Sequence, residues 1–233
     1  MNHVFKDQVE MNAEQKVALI EDNLVDLVYN AAFLEGVRMN FVEARAYIKH
    51  DKLPESPRPT GLKKLQNLRT VYHRLQDGFL LDMPTDLSTL CVIHRLVNGR
   101  GLSEEAGRVR TSVVTITGTE YVPEIPDSFE VNNKIRDIVE AKKTFIERGL
   151  DLYCYLMRTQ VFVDGNKRCA NILTNQFLLR HGQGIFSIRP ERNEQFLNLL
   201  VKFYETNDAE ELKTFIYENC FYTDPTLPYV DED

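Results

Sequence analysis

Apolar residues recur at three- and four-residue steps along most of this chain, and that period dictates a helical protein. Over residues 13–34, Val17, Leu19, Ile20, Leu24, Leu27, Val28 and Ala31 follow this spacing, which stacks side chains on one face of an α-helix. Glu35-Gly36 marks the end of that helix, because glycine takes the left-handed turn that stops a helix without a Cβ penalty. The same period predicts helices over 41–50, 62–81, 85–97, 128–147, 149–158, 167–181, 191–205 and 208–219. One stretch breaks it. Thr111, Val113, Val114, Thr115, Ile116 and Thr117 are β-branched, and Gly118 and Tyr121-Val122-Pro123 follow. This pattern predicts a single small β-hairpin on a helical body. The loop 53–61, with three prolines and a glycine, is read as a seam between an N-terminal helical arm (1–52) and the main body. Residues 223–233 read as a polar tail.

Composition limits the partners. With 233 residues, 43% hydrophobic and 27% charged, the chain has enough apolar content for a folded core. A formal net charge of -7 argues against a broad DNA-binding surface and leaves room for a local basic pocket. Cys91, Cys154, Cys169 and Cys220 are widely spaced with no C-x-x-C pair, so buried, reduced thiols of a cytoplasmic protein are expected rather than a zinc or redox site. The polar start lacks a signal-peptide core, and no apolar run approaches the roughly 20 residues that span a membrane. Composition does not set the oligomeric state.

The segment that carries chemistry is "TQVFVDGNKRCANILTNQFLLRHG", residues 159–182. A helix starting near Asn166 leaves its first N–H groups unpaired, and they attract anions together with the helix dipole. Gly165 lets the backbone turn and approach a ligand, and Asn166 tolerates unusual backbone angles. Together they suit an amide nest for a phosphate. Lys167 and Arg168 add positive charge, and the arginine fork fits phosphate oxygens. Asp164 is a hard oxygen ligand able to hold Mg²⁺ against phosphate. The same residues also suit a plain turn, a helix cap and a solvated Lys-Arg face.

"F-x-D-G-N-K-R", followed by a helix and "HGQGIFSI", resembles the signature of the Fic/Doc (Fido) family, usually His-Pro-Phe-x-Asp/Glu-Gly-Asn-Gly/Lys-Arg. The resemblance extends over about 60–222, with Gly107, Arg110, Val114, Ile116, Gly118, Tyr121 and Pro123 at family-like spacing. It implies an all-α Fic/Doc-type domain with a β-hairpin flap and an N-terminal arm. It also implies Mg²⁺ and ATP as co-substrates, and transfer of AMP to a hydroxyl on a target protein. Asp164 would then bind the metal, and Gly165, Asn166, Lys167 and Arg168 the phosphates. The flap residues Val114, Thr115, Ile116, Thr117, Gly118 and Tyr121 would dock the target as an added strand. "AAFLEGV", 31–37, is similar to the family's inhibitory segment, in which a glutamate enters the nucleotide site. Glu35 and Gly36 match it, and Ala31 replaces its Ser/Thr.

The departures bear on activity. Gln160 stands at the position of the family histidine that takes the hydroxyl proton. An amide has no basic lone pair, and general-base help is worth about 10²–10⁴-fold. Val161 replaces a proline, and Asn171 stands where many members carry a second arginine. His94 suits helix packing, and His181 lies a full helix away, roughly 20 Å along its axis. Glu35 can therefore reach only Arg168 or Lys167. Three functions stay open: a weakened or altered nucleotide-dependent transferase, a non-catalytic module that senses a nucleotide or phosphate and holds a protein, and a partner-regulated toxin-like module whose N-terminal arm acts as the brake.

Overall fold

The computed structural model describes residues 4–54, 58–99 and 102–223. Among them lie nine α-helices and one two-stranded antiparallel sheet, in agreement with the predicted fold class. Most of the predicted tail falls outside the described residues. No helix is long and apolar enough to cross a membrane.

α1 (Ala13–Leu34) opens on a capping box between Asn12 and Gln15. It closes as the sequence predicts: Gly36 sits at φ +78, Val37 N–H donates to the Ala32 carbonyl and Gly36 N–H to that of Phe33. These paired bonds satisfy the last carbonyls of the helix and fix where Glu35 points. α2 (Phe41–His50) and α3 (Pro59–Gln76) follow, and α1 packs along α3. Leu27, Val28 and Ala44 are fully buried in the core that also contains Leu65 and Leu173. A strap, residues 5–11, lies across the far end of the molecule. There the Gln183 side chain donates to the Val9 carbonyl, and Met11 N–H donates to the carbonyl of Gly182.

α4 (Leu87–Asn98), α5 (Ser128–Val139), α6 (Phe145–Thr159) and α7 (Asn166–Arg180) complete the middle. α7 is buried on nearly every side, so its amides serve as internal ties. Asn175 exchanges two hydrogen bonds with the Phe186 backbone, and Gln176 holds the carbonyls of Leu80 and Met83. The sequence placed a helix break near Gly149, but the break falls at 140–144. Thr144 caps α6 by accepting from Glu147 N–H, while Gly149 is buried inside the helix, where a Cβ would meet Leu178 at 2.8 Å. That glycine serves close helix packing.

The strand pairing also lies elsewhere than expected. β1 (Ile185–Phe186) pairs with β2 (Phe221–Tyr222), with α8 (Asn193–Thr206) and α9 (Glu210–Asn219) between them in the chain. Residues 111–125 form no cross-strand ladder. The segment keeps the strand alternation, with Val114 and Ile116 half-buried and Thr115 and Thr117 exposed, and it turns at Gly118, φ +90. Its two arms are tied through Arg110. That guanidinium donates to the carbonyls of Ser112, Pro123 and Glu124 on the flap, and to those of Thr159 and Gln160 on α6. A side chain does here what backbone pairing does in a hairpin.

All four cysteines are free. Burial pushes the Cys154 and Cys220 thiols up to about 12, which matches inert core thiols.

Candidate functional site

The predicted loop lies between α6 and α7. Gln160 caps α6 in the left-handed region, φ 49. Its side-chain amide turns back onto its own helix, donating to the Met157 carbonyl at 2.5 Å and, at 3.4 Å, to the Tyr204 hydroxyl. Burial raises the pKa of Tyr204 far above its ordinary value, so that neighbour supplies no base either. Val161 and Phe162 are fully buried and anchor the loop.

Asn166 then closes it. Its Oδ1 accepts from Phe162 N–H at 2.9 Å and its Nδ2 donates to the Phe162 carbonyl at 2.7 Å. The turn is also held from α4, which the sequence did not reveal. The His94 ring stacks on Phe162, centroids 3.8 Å apart. Gly107 N–H donates to His94 Nδ1 at 2.8 Å, so the ring proton sits on Nε2, 3.0 Å from the Asp164 carbonyl. Asn98 donates to that same carbonyl, also at 3.0 Å. His94 and Asn98 are four residues apart and so share one helix face; two polar residues on an apolar face were the available signal. Burial lowers the His94 pKa to about 4, and the ring is neutral.

Gly165, at φ +81, is the N-cap of α7 and has no side chain with which to cap it. The leading amides at Asn166, Lys167 and Arg168 are thus left without a side-chain cap. A Cβ on Gly165 would lie 2.6 Å from Asn98 Nδ2. Asp164 keeps its side chain largely exposed, at 69%. Partial burial pushes its carboxyl up, but Arg168, Gly165 N–H, Lys64 and Lys167 outweigh this and hold it below its ordinary value. No cluster of three or more potential metal ligands exists among the described residues. Asp164 alone fits a Mg²⁺ ion that draws its other ligands from phosphate and water.

Arg168 is 1% exposed. Its Nη2 is 3.3 Å from Asp164 Oδ2 and its Nε is 3.2 Å from Glu35 Oε2. Neither Nε nor Nη1 has a well-formed hydrogen bond. Lys167 Nζ lies 3.6 Å from the other Glu35 oxygen. The structure therefore brings Glu35 to the two cations that the sequence left within its reach. A further cation, which sequence reasoning missed, is Lys64 on α3. It donates to the Glu35 carbonyl at 3.3 Å. Asn171 is committed elsewhere, donating to the Phe186 carbonyl at 3.1 Å and accepting from the Tyr72 hydroxyl. His181 lies apart, stacked on Phe145. Tyr121 does not stand free on the flap. Its ring packs under the Arg158 guanidinium, 3.9 Å away, and stacks on Tyr204.

Residues 84–178 match the Fic/DOC family. The fold is similar to that of Fic-1 (residues 134–508) from C. elegans, with TM-score 0.73 and 18% identity, covering 86% of this chain and 62% of that one. It is also similar to a Fic-domain-containing signaling protein from Bacteroides thetaiotaomicron, with TM-score 0.71, 17% identity and coverage of 90% and 81%. A Fic family protein from Desulfovibrio desulfuricans follows at 0.67 and 17%, covering 84% and 62%. The chain thus spans less than two thirds of the C. elegans and Desulfovibrio chains. At these identities the likeness establishes the fold. No curated protein matches the chain.

Proposed function

We propose, from the match of residues 84–178 to the Fic/DOC family, that the chain binds a nucleotide phosphate at the leading end of α7. We propose further that it transfers AMP from ATP to a hydroxyl on a protein, weakly because Gln160 occupies the base position. The observation that carries this reading is Arg168: a guanidinium 1% exposed, with two nitrogens lacking well-formed hydrogen bonds, beside an uncapped helix start. A buried cation in that state favours an anion that can complete its hydrogen bonds. Asp164, exposed and ionised, would hold Mg²⁺ against the phosphate oxygens, and the ion would neutralise their charge. Gly165, Asn166, Lys167 and Arg168 would position the phosphate. The segment 111–121, which pairs with no strand, would dock the target protein. Glu35 would act as a resident inhibitor, since its carboxylate occupies Arg168 and repels incoming phosphate.

Gln160 does not take up the hydroxyl proton. Its amide points at Met157 O, and any transfer rests on positioning and charge stabilisation. That inward orientation favours the second reading, a phosphate-sensing and protein-holding module without catalysis. Labelled ATP, Mg²⁺ and lysate separate the two. Label transfer by the native protein supports the transferase. A blank native lane with labelling by Gln160→His supports the sensor. Thermal shift with nucleotides tests what both share: a ligand at about 100 times its Kd adds roughly 2.7 kcal/mol. No shift with any nucleotide, in native protein or in Glu35→Ala, counts against both.

A further inference from the structure

Two surfaces of the molecule leave large apolar side chains in solvent, and their charges are opposite. The first is a groove of about 610 Å³ between the second arm of the flap, the start of α5, the end of α6 and the turn from α8 to α9. Val122 and Ile125 line it and are 52% and 51% exposed, and Phe129, 75% exposed, follows in the first turn of α5. The charged residues of the groove are Glu124, Asp127, Glu130 and Arg158. Arg158 is turned inward, donating to the Phe203 and Tyr204 carbonyls and lying over the Tyr121 ring. Asp127 caps α5, while Glu124 and Glu130 form no ion pair among the described residues. The rim is preorganised. Pro123 and Pro126 fix two backbone angles, and Arg110 holds the carbonyls of Pro123 and Glu124.

The second surface is the outer side of α2. Val42, Arg45 and Lys49 recur at three- and four-residue steps, so they share one side of the helix, and all three are exposed. Phe41 precedes them, and Lys52 and Leu53 follow just past the helix end, also exposed. The nearby acids are engaged elsewhere: Asp51 pairs with Arg69 at 2.8 Å, and Glu43 lines the α1–α3 cleft. Arg45, Lys49 and Lys52 form no ion pair among the described residues. α2 packs on α1 and α3, and none of its residues lines the groove, so neither surface covers the other within one chain.

We infer that the groove of one copy receives the α2 face of a second copy. An exposed apolar patch with a charged rim marks an interaction surface, and opposite charges on the two faces decide which meets which. Each face interleaves apolar side chains with one sign of charge, so burial of the first brings the second into register. Because the two faces differ, the contact is head-to-tail and repeats from copy to copy instead of closing as a symmetric pair. Tyr121 and Val122 line the groove, so its occupation also covers the second arm of the flap.

Sedimentation of the full chain tests the pairing. At about 0.1 M salt the mean mass should exceed that of one chain and rise with concentration. At about 1 M salt, where the screening length falls from about 10 Å to about 3 Å, it should drop. Lys49→Glu on α2 and Glu130→Lys in the groove should each weaken association at least about tenfold, because each sets like charges against one another. Mixed together, the two variants should associate again, since one keeps an intact groove and the other an intact α2 face. Glu21→Lys, at an exposed position of α1 outside both surfaces, makes the same change in net charge as Glu130→Lys and should alter nothing. Melting curves verify that each variant is folded. Native protein that stays a single chain throughout, or association undiminished in both variants, overturns the inference. Variants that stay apart when mixed overturn the head-to-tail pairing.

Discussion

The Glu35 carboxylate lies 3.2 Å from Arg168 Nε, with both side chains almost fully buried. One is the C-cap residue of α1 and the other lies in the first turn of α7, so the ion pair joins the end of the N-terminal helix to the leading end of the central helix. Its carboxylate stands where a phosphate would compete.

Replacing Glu35 by Ala should therefore act in two directions. Without ligand, Arg168 loses a buried partner, and stability should fall by about 3 kcal/mol. With pyrophosphate or a nucleotide, affinity should rise, because no resident anion has to leave. Melting curves with and without ligand check both, and a variant destabilised equally in each would remove the inhibitory role.

Gly165→Ala tests the turn. The substitution forces an L side chain into φ +81 and brings Cβ within 2.6 Å of Asn98 Nδ2, the group that holds the Asp164 carbonyl. A cost of about 1–3 kcal/mol is expected, with loss of phosphate binding even in protein that remains folded. Calorimetry on the folded fraction reads the second effect apart from the first.

His94 makes stability pH-dependent. Burial holds its folded pKa near 4, below an ordinary value of about 6.5. Below that ordinary value the unfolded chain takes up a proton that the folded ring refuses. His94's contribution is thus complete above about pH 6.5 and declines as pH falls toward 4. Urea midpoints at pH 7.5, 6 and 4.5 should drop more steeply for native protein than for His94→Asn.

Arg110→Lys keeps the charge and removes the fork. Lysine cannot span the carbonyls of Ser112, Glu124 and Gln160 that the guanidinium, 3% exposed, now gathers. We expect a loss of about 2–4 kcal/mol and faster proteolysis within 111–125. Unchanged cleavage there would show that the flap is held by other contacts.

Local chemistry written in the chain accounts for most of the fold. The period of α1, its glycine stop and the helix opening at Asn166 follow from steric rules acting within a few residues. Helix ends set by distant partners were harder to read. The start of α6 depends on Thr144, and Asp7 adds a hydrogen bond to Ile146 N–H from the opposite end of the sequence. The β-branched run at 111–117 signalled a break from helix, but the strand pairing it predicted does not form there. It could not signal that Arg110 would replace a partner strand.

The candidate site divides the same way. Asp164, Gly165, Asn166, Lys167 and Arg168 are consecutive, and the backbone geometry that gives them meaning is short-range, so their order alone announced a tight turn that opens a helix. Glu35, Lys64, His94 and Asn98 come from three other helices. Their convergence arises because α1, α3, α4 and α7 bury their apolar faces against one another. Hydrophobic packing is non-directional. It decides which polar residues become neighbours without leaving a pattern among those residues that a reader of the chain could recognise.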